Sequence, residues 1–204
     1  IRHVTVLDSD ITMSSSDNLR GIYAYAYGNS VEVYAENSKF DFAYYGDNWF
    51  YCFELYNGKS EFVNCTIDMD APSTYQWAGG EMFYFYADNP MSHRFNGCTI
   101  RMTTQSQNND VYYYMFDVST CSVSIDNSKI EMTNEGGFND VQIVDLYYRP
   151  FFEFNDTSIE LYYGGNLGGA GGDVEPFYFE QIQRVNFTRC TVNITVADEP
   201  ISMD

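Results

Sequence analysis

The sequence predicts an all-β protein, a single parallel β-helix solenoid of about seven rungs with about 30 residues in each. Three observations predict this class. A short unit recurs seven times along the 204 residues. Apolar and polar residues alternate within that unit with the period of a β-strand. Aromatic residues make up 18% of the chain, with 19 Tyr and 16 Phe, and both residue types favour strands.

The repeat unit is eight residues long, and its sixth residue is apolar in every copy, with spacings of 27 to 33 residues. The first and eighth residues are also apolar, whereas the fifth and seventh are polar, which predicts a strand with one buried face. The copies are Val6–Met13, Ala35–Phe42, Phe62–Met69, Phe95–Met102, Ile125–Met132, Phe154–Leu161 and Phe187–Ile194.

The third residue of the unit predicts a tight bend. In six copies it is Asp, Asn or Gly, the residues that best tolerate a left-handed backbone conformation. The seventh copy has Arg189 at this position, which does not share that preference. Each unit is therefore expected to fold as a strand, a bend and a second strand.

Aromatic-rich runs lie between successive units and predict a third strand in each repeat. A polar stretch of variable length separates unit and run, as in the glycine-rich segment Gly164–Asp173. One repeat cannot bury its own apolar face, so the rungs are expected to stack by parallel pairing at about 4.8 Å. The runs are Ile22–Tyr27, Trp49–Leu55, Met82–Tyr86, Val111–Phe116, Val141–Leu146 and Phe177–Ile182.

The pattern apolar-x-Asn-Asn/Cys/Ser-Thr-Ile, as in Phe62-Val-Asn-Cys-Thr-Ile67, resembles the coil repeat of the pectin-lyase-like superfamily of right-handed parallel β-helices. The resemblance covers all seven units, and the right-handed coil is implied by it alone. That superfamily includes polysaccharide lyases and hydrolases, phage tailspikes, adhesins and other surface proteins. The resemblance therefore implies a fold without a single activity.

Composition restricts the partners. Asp and Glu number 29 against 10 Lys and Arg, a formal charge of −19. Nucleic acids and anionic membrane surfaces both attract basic proteins, so neither is expected as a partner, and no apolar run approaches the length of a membrane span. We expect a secreted or cell-surface protein. We interpret residues 1–204 as one β-helix domain and as a segment of a longer protein, because neither end resembles a capping unit.

Carboxylates are the first candidates for catalysis. A glycoside hydrolase needs two that flank the scissile bond, and Asp8 with Asp10, Asp68 with Asp70, and Asp41 are available. Asp10, Asp41 and Asp68, however, occupy polar positions of the repeat, where solvated carboxylates are expected without any catalytic role.

Lyase chemistry and calcium binding have weaker support. Arg149, which precedes Pro150, is similar to an Arg-Pro pair in some pectate lyases, but basic groups are scarce. Calcium is a conceivable cofactor at the acidic segments Asp68–Asp70, Asn108–Asp110 and Asp198–Glu199, none of which matches a known calcium loop. The five cysteines form no Cys-x-x-Cys pair, and the two histidines are too few for a zinc site.

The tyrosines of the aromatic runs are the most informative candidates. Because side chains alternate along a strand, about half of each run points outward, and stacked rungs would align these rings into ladders. Flat aromatic faces bind sugar rings. The simpler alternative is a thick core with hydroxyls at its rim. The candidate binding residues are Tyr23, Tyr25, Tyr84, Tyr86, Tyr112 and Tyr114.

These observations favour an extracellular structural or adhesive module that binds a glycan or another cell-surface ligand without cleaving it. The open ends of an excised solenoid would also favour end-to-end self-association. The alternative is a polysaccharide lyase or glycoside hydrolase. The two functions differ in the expected site: a shallow aromatic strip for a binding module, a cleft with two or three carboxylates for an enzyme.

Overall fold

The computed structural model describes residues 3–26, 30–46, 48–72, 79–105, 112–135, 140–164 and 175–196. Their regular structure consists of strands, which confirms the all-β prediction. The strands are β1 (His3–Leu7), β2 (Asp10–Ser15), β3 (Leu19–Tyr25), β4 (Val31–Glu36), β5 (Lys39–Tyr44), β6 (Trp49–Tyr56), β7 (Gly58–Val63), β8 (Thr66–Ala71), β9 (Gly79–Tyr86), β10 (Ser92–Asn96), β11 (Thr99–Thr104), β12 (Tyr112–Ser119), β13 (Ser122–Asp126), β14 (Lys129–Asn134), β15 (Asp140–Tyr147), β16 (Phe151–Asn155), β17 (Ser158–Tyr163), β18 (Phe177–Phe179), β19 (Arg184–Thr188) and β20 (Thr191–Val196).

Three parallel sheets form the walls of the solenoid, as predicted. The first and second sheets contain the two strands of each repeat unit, and the third contains the aromatic runs. The first has the order β1-β4-β7-β10-β13-β16-β19, the second β2-β5-β8-β11-β14-β17-β20, and the third β3-β6-β9-β12-β15-β18.

The register between rungs is the one that the repeat predicts. In the second sheet, Ile67 pairs with Ile100, and Ile100 with Ile130. Met102 and Met132 stack in the same way two residues further on. All five side chains are buried, so the sixth and eighth positions of the unit form continuous apolar columns inside the coil.

The bend between the first two strands has the predicted left-handed conformation. All seven third positions have positive φ, from 46° at Asp8 to 67° at Gly97. Arg189 has a φ of 53° although its residue type does not favour it. Its guanidinium binds both carboxylate oxygens of Asp156 one rung below, which ties this bend to its neighbour.

The number of turns is lower than the predicted seven rungs: the stack forms about five turns. Two sheets have seven strands and the third has six, so the units at the ends begin and finish the stack without closing further turns. The last unit shows this directly, because Phe187, Val192 and Ile194 are exposed there, whereas their counterparts further inside are buried.

Aromatic rings fill the interior behind the third sheet. Phe53, Phe83 and Phe116 come from successive rungs and stack face to face, with ring centroids 5.1 and 4.8 Å apart. His93 is fully buried against Phe85, with its ring 3.7 Å from the Phe85 ring and its Nδ1 2.9 Å from Ser60 Oγ. Burial lowers the pKa of His93 to about 3, so its ring is neutral in the folded protein.

The cysteines of the described chain carry free thiols. Cys65 and Cys98 lie on adjacent rungs beside the paired strands β8 and β11, at the small-residue position that follows the bend. Within the part of the chain that the structure describes, no helix is long and apolar enough to cross a membrane.

Candidate functional site

The outward face of the third sheet is rich in tyrosines, unlike the outward faces of the first and second sheets. Its outward positions form three columns along the stack, with tyrosines in all three and carboxylates in the first and second. The first column contains Arg20, Tyr51, Glu81, Tyr114 and Gln142; the second contains Tyr23, Glu54, Tyr84, Asp117, Asp145 and Tyr178; the third contains Tyr25, Tyr56, Tyr86, Ser119 and Tyr147.

A local irregularity of the strands separates the first column from the second. Cys52 and Phe53 are adjacent in β6, yet both are fully buried, and Met82 and Phe83 repeat this in β9. Two successive inward residues break the alternation. Glu81 and Tyr84, three positions apart, therefore both point outward.

The predicted tyrosines lie on this face, but not in one ladder. Tyr23, Tyr25 and Tyr112 are exposed by 51, 46 and 41%, while Tyr84, Tyr86 and Tyr114 are half-buried. Phe83 and Phe85 point inward, as predicted for that run. Five of the six residues are distributed among the columns, whereas Tyr112 pairs with Asp140 outside them. Each column also contains tyrosines or carboxylates that the sequence analysis did not select.

Tyr56 and Tyr51, which the sequence analysis missed, connect the predicted rings into one surface. The Tyr56 ring centroid lies 5.1 Å from that of Tyr25, 5.6 Å from Tyr84 and 5.6 Å from Tyr86. Tyr51 lies 5.8 Å from Tyr84. We call these rings, with Tyr23 and Tyr147, the tyrosine strip.

Four carboxyl groups lie among these rings, and we call Glu54, Glu81, Asp117 and Asp145 the carboxyl cluster. Glu54, Glu81 and Asp117 are only 5, 6 and 6% exposed, and Asp145 is partly exposed. Glu54, Asp117 and Asp145 lie inside apolar or aromatic runs, as in Phe53-Glu54-Leu55, and Glu81 directly precedes the run Met82–Tyr86. An acidic residue with apolar neighbours on both sides is unusual for a solvated surface carboxylate. This pattern was the sequence signal that could have predicted the cluster.

Burial favours the protonated form of each carboxyl in this cluster. Desolvation raises the pKa of Glu54, Glu81 and Asp117, and it raises the pKa of Asp145 to about 6. Glu81 and Asp117 are hydrogen-bonded to each other, which requires that one of the two carboxyls keep its proton. Trp49 Nε1 donates to Glu81 Oε1 at 3.2 Å, and Tyr147 donates to Asp117.

One cation of this chain lies on the same face. Arg20 Nε lies 3.4 Å from Glu54 Oε2, without the geometry of a hydrogen bond. The guanidinium carbon lies 5.3 Å from the ring centroid of Tyr23 and 5.6 Å from that of Tyr51. Arg20 is thus held by two aromatic faces and one carboxylate, the usual surroundings of a bound cation.

The carboxylates that the sequence analysis singled out lie elsewhere. Asp41 and Asp68 are on the second sheet, where Lys39 and Arg101 pair with them. Asp8 is at an exposed bend and accepts a hydrogen bond from Asn37, whereas Asp10 and Asp70 are exposed strand residues. Asp41 and Asp68 pair in register on adjacent strands, and Asp70 lies two residues further along the same outward face. The lysine and arginine beside Asp41 and Asp68 explain these two as paired surface groups.

The remaining candidates give no site either. Arg149 is an exposed residue of the turn after β15, with a φ of 66°. Among the described residues, no group of three or more His, Cys, Asp or Glu side chains could hold a metal ion. The acidic segments Asn108–Asp110 and Asp198–Glu199 lie outside the described residues.

Neither a family model, nor a curated protein, nor a solved structure matches this chain. The site must therefore be interpreted from its own geometry.

Proposed function

We propose that this chain is an extracellular, adhesive β-solenoid that binds glycans along the tyrosine strip of the third sheet without cleaving them. One observation carries the proposal: the rings of Tyr25, Tyr56, Tyr84 and Tyr51 are in mutual contact across successive rungs on an outward face. Rings in such a row offer apolar surface to the C–H faces of consecutive sugars. Hydroxyls and carboxyls beside them can accept and donate hydrogen bonds.

The strip is shallow, and this determines the expected affinity. Its tyrosines are half-buried or exposed, so a sugar would be covered on one side only. Little of the ligand surface would be fully desolvated, and dissociation constants of about 1 μM to 1 mM are expected. Longer oligosaccharides should bind more tightly, because they contact rings of more rungs.

The double variant Tyr84→Ala with Tyr86→Ala tests the proposal on a glycan array, followed by titration of the best oligosaccharide. We expect binding to be lost while the circular dichroism spectrum stays unchanged. The matched control is Tyr162→Ala, which removes an exposed tyrosine from the second sheet and should leave binding intact. Equal loss of binding in the control, or unchanged binding in the double variant, would reject this surface.

A glycoside hydrolase is the second candidate, and the carboxyl cluster is the observation in its favour. Asp117 and Asp145 pair in register on adjacent rungs, and a rung spacing of about 4.8 Å is close to the separation of about 5 Å between the carboxyls of retaining enzymes. Against it, the hydrogen bond between Glu81 and Asp117 brings these two groups closer together than hydrolysis of either stereochemistry requires.

Activity assays separate the two candidates. New reducing ends released from a polysaccharide panel, and lost in Asp117→Asn, would establish the hydrolase and overturn the binding proposal. Unsaturated products absorbing in the ultraviolet would instead establish a lyase. Binding without any product supports the non-catalytic module.

We also propose, from the repeat, that the chain belongs to the right-handed pectin-lyase-like superfamily and is secreted or displayed at a cell surface. The apolar residues exposed on the last unit, Phe187, Val192 and Ile194, match the half-buried Val6 and Ile11 of the first. A second copy could continue the same columns, so we expect end-to-end self-association, which sedimentation velocity would detect. A strictly monomeric profile would contradict it.

A further inference from the structure

We propose that the third sheet recognises protonated amines, and that its glycan ligand consists of amino sugars with free amino groups. This inference rests on the glycan-binding proposal and deepens it by naming the chemical class of the ligand. It follows from three features of the outward face: acceptors without donors, a scarcity of internal cations, and an arginine that already occupies the equivalent environment.

The face carries an excess of hydrogen-bond acceptors. Asp145 Oδ1 and Gln142 Oε1 accept no hydrogen bond from the described residues, although Gln142 is only 8% exposed. Glu81 Oε2 and Asp117 Oδ1 likewise accept no hydrogen bond from the described residues. Buried acceptors are normally satisfied, so a ligand rich in N–H donors fits this surface better than one rich in acceptors.

The described residues do not supply the missing cations. Among all residues of the six strands of the third sheet, Arg20 is the one Lys, Arg or His. It lies beside Glu54 at the first two rungs, and no ion pair of the described residues reaches Glu81, Asp117 or Asp145. The upper rungs therefore keep carboxyls next to tyrosines without a counter-ion.

Arg20 shows what such a site binds. Its guanidinium lies against the rings of Tyr23 and Tyr51 and close to Glu54. Higher on the same face, in the second column, Asp117 and Asp145 lie between Tyr84 and Tyr178. A ligand ammonium at this level would find the same combination of aromatic faces and carboxyls.

Access is best at Asp145. It is the most exposed member of the carboxyl cluster, and Tyr178, which pairs with it in register, is 41% exposed. We therefore place the amine at Asp145, with the sugar ring against the adjacent tyrosine and Asp117 one rung below. An N-acetylated sugar has no charge to offer there and adds a carbonyl acceptor where acceptors are already in excess.

Proton linkage distinguishes this ligand from a neutral sugar. An ammonium stabilises ionised carboxyls, so its binding should release protons that the cluster holds in the free protein. Asp145 is faced by Asp117 on β12 and by Glu180 after β18. Asp117 is faced in turn by Glu81 and Tyr84 on β9 and by Tyr147 on β15. Arg20, the cation of this sheet, is paired with Glu54 at the lower rungs.

The expected pH window follows from these groups. Affinity should rise with pH as Asp145 ionises, around its pKa of about 6. Affinity should fall again once the sugar amine loses its proton. An amine that titrates like an α-amino group does so at about pH 7.7. An N-acetylated oligomer should show neither limb.

Isothermal titration of the full chain with a glucosamine hexamer and an N-acetylglucosamine hexamer tests the proposal. At pH 7 we expect the amine form to bind at least about tenfold more tightly, since one charge-assisted hydrogen bond is worth that factor or more. At pH 6, close to the Asp145 pKa of about 6 and well below that of the amine, buffers of different ionisation enthalpy should reveal proton release for the amine form alone. Asp145→Asn should remove the preference, whereas the matched control Glu61→Gln, an exposed carboxylate of the first sheet, should keep it.

Each outcome is decisive. Equal binding of both hexamers without proton release would overturn the amine preference and leave glycan binding standing. No binding of either, together with a silent neutral-glycan array, would overturn both proposals. A lysine hexapeptide that binds as tightly as the glucosamine hexamer would support recognition of protonated amines and would overturn the assignment of the ligand as an amino sugar. The proton count on the unaltered protein decides the matter even if Asp145→Asn fails to fold.

Discussion

On the outward face of the second sheet, carboxylates lie beside lysines and arginines, whereas on the third sheet they lie among tyrosines. Arg101 bridges Asp68 at 3.1 Å and Glu131 at 2.7 Å, and Lys129 lies 2.7 Å from Glu131. The corresponding groups of the third sheet, such as Asp117, have rings and other carboxyls for neighbours. The same coil thus presents two acidic surfaces with different chemistry.

The difference shows how the environment determines the charge of a carboxyl. The hydrogen bond from Lys129 holds the pKa of Glu131 below its usual range, so this group is ionised at neutral pH. Burial raises the pKa of Glu81 and Asp117, so these groups keep protons. The carboxylates of the second sheet are therefore ionised, solvated and paired with cations. Those of the third sheet hold protons that a cationic ligand can displace.

The largest predicted effect compares a carboxyl on the inner face with those of the carboxyl cluster. Ile100→Asp would place a carboxylate between the buried side chains of Ile67 and Ile130 on the adjacent strands, inside the apolar core. We expect a loss of more than about 4 kcal/mol in the free energy of unfolding, which should leave the chain unfolded.

Far-ultraviolet circular dichroism and a thermal melt measure this effect. The control is Ile100→Val, which keeps the site apolar and should cost only about 1 kcal/mol. An Ile100→Asp protein with an unchanged melting temperature would mean that the inward column is assigned wrongly.

The second prediction concerns pH and the third sheet. Between about pH 6.5 and 8 the unfolded chain has ionised carboxyls, with pKa values near 4, whereas the folded chain keeps protons on the cluster. The folded state binds more protons, so stability must fall as pH rises. We expect a loss on the order of 2 kcal/mol over this interval.

The interval from about pH 6.5 to 8 avoids the pH ranges in which two other groups, His93 and the free thiols, change the stability. His93, whose pKa is lowered in the folded state, destabilises the fold only below about pH 6.5, where its unfolded form takes up a proton. Free thiols of the unfolded chain ionise mainly above about pH 8.5. Urea unfolding of the double variant Glu81→Gln with Asp117→Asn should show a flat profile, whereas Glu61→Gln should keep the slope of the unaltered protein. A flat profile in the unaltered protein would mean that the cluster is ionised when folded.

The sequence predicted the fold because the fold depends on local pattern. The alternation within each unit identifies the strands of the first two sheets, and the short polar residues at the bends, such as Asn64 and Asn127, account for the left-handed conformation there. The number of turns was overestimated, since each copy was counted as a full rung although the end units are not enclosed. The last aromatic run was also too long, because only Phe177–Phe179 forms a strand.

The site was predicted only in part because it depends on register between rungs. Strict alternation assigned Tyr84 and Tyr86 correctly. Strict alternation failed in β12, where the adjacent residues Met115 and Phe116 both point inward. Because of this irregularity, Tyr114 and Asp117, three positions apart, lie on the same outward face, which alternation does not predict. The pair of Glu81 and Asp117 also comes from two different strands, so no motif within one strand can predict that the two carboxyls meet.

The smallest predicted effect concerns the paired wall of the second sheet. Arg101→Gln removes a cation from between Asp68 and Glu131, whose side chains are partly exposed to solvent. Because exposed ion pairs contribute little, we expect a loss of no more than about 1 kcal/mol, measured by urea unfolding in low salt. The difference should disappear in 1 M sodium chloride, where the screening length is about 3 Å.

Arg94→Gln is the control, since Arg94 makes no ion pair with the described residues, and it should be neutral at both salt concentrations. A loss of about 3 kcal/mol that persists in high salt would exceed what exposed pairs contribute. It would mean that the carboxylates of the second sheet are as strongly desolvated as those of the third, and the contrast between the two faces would fail.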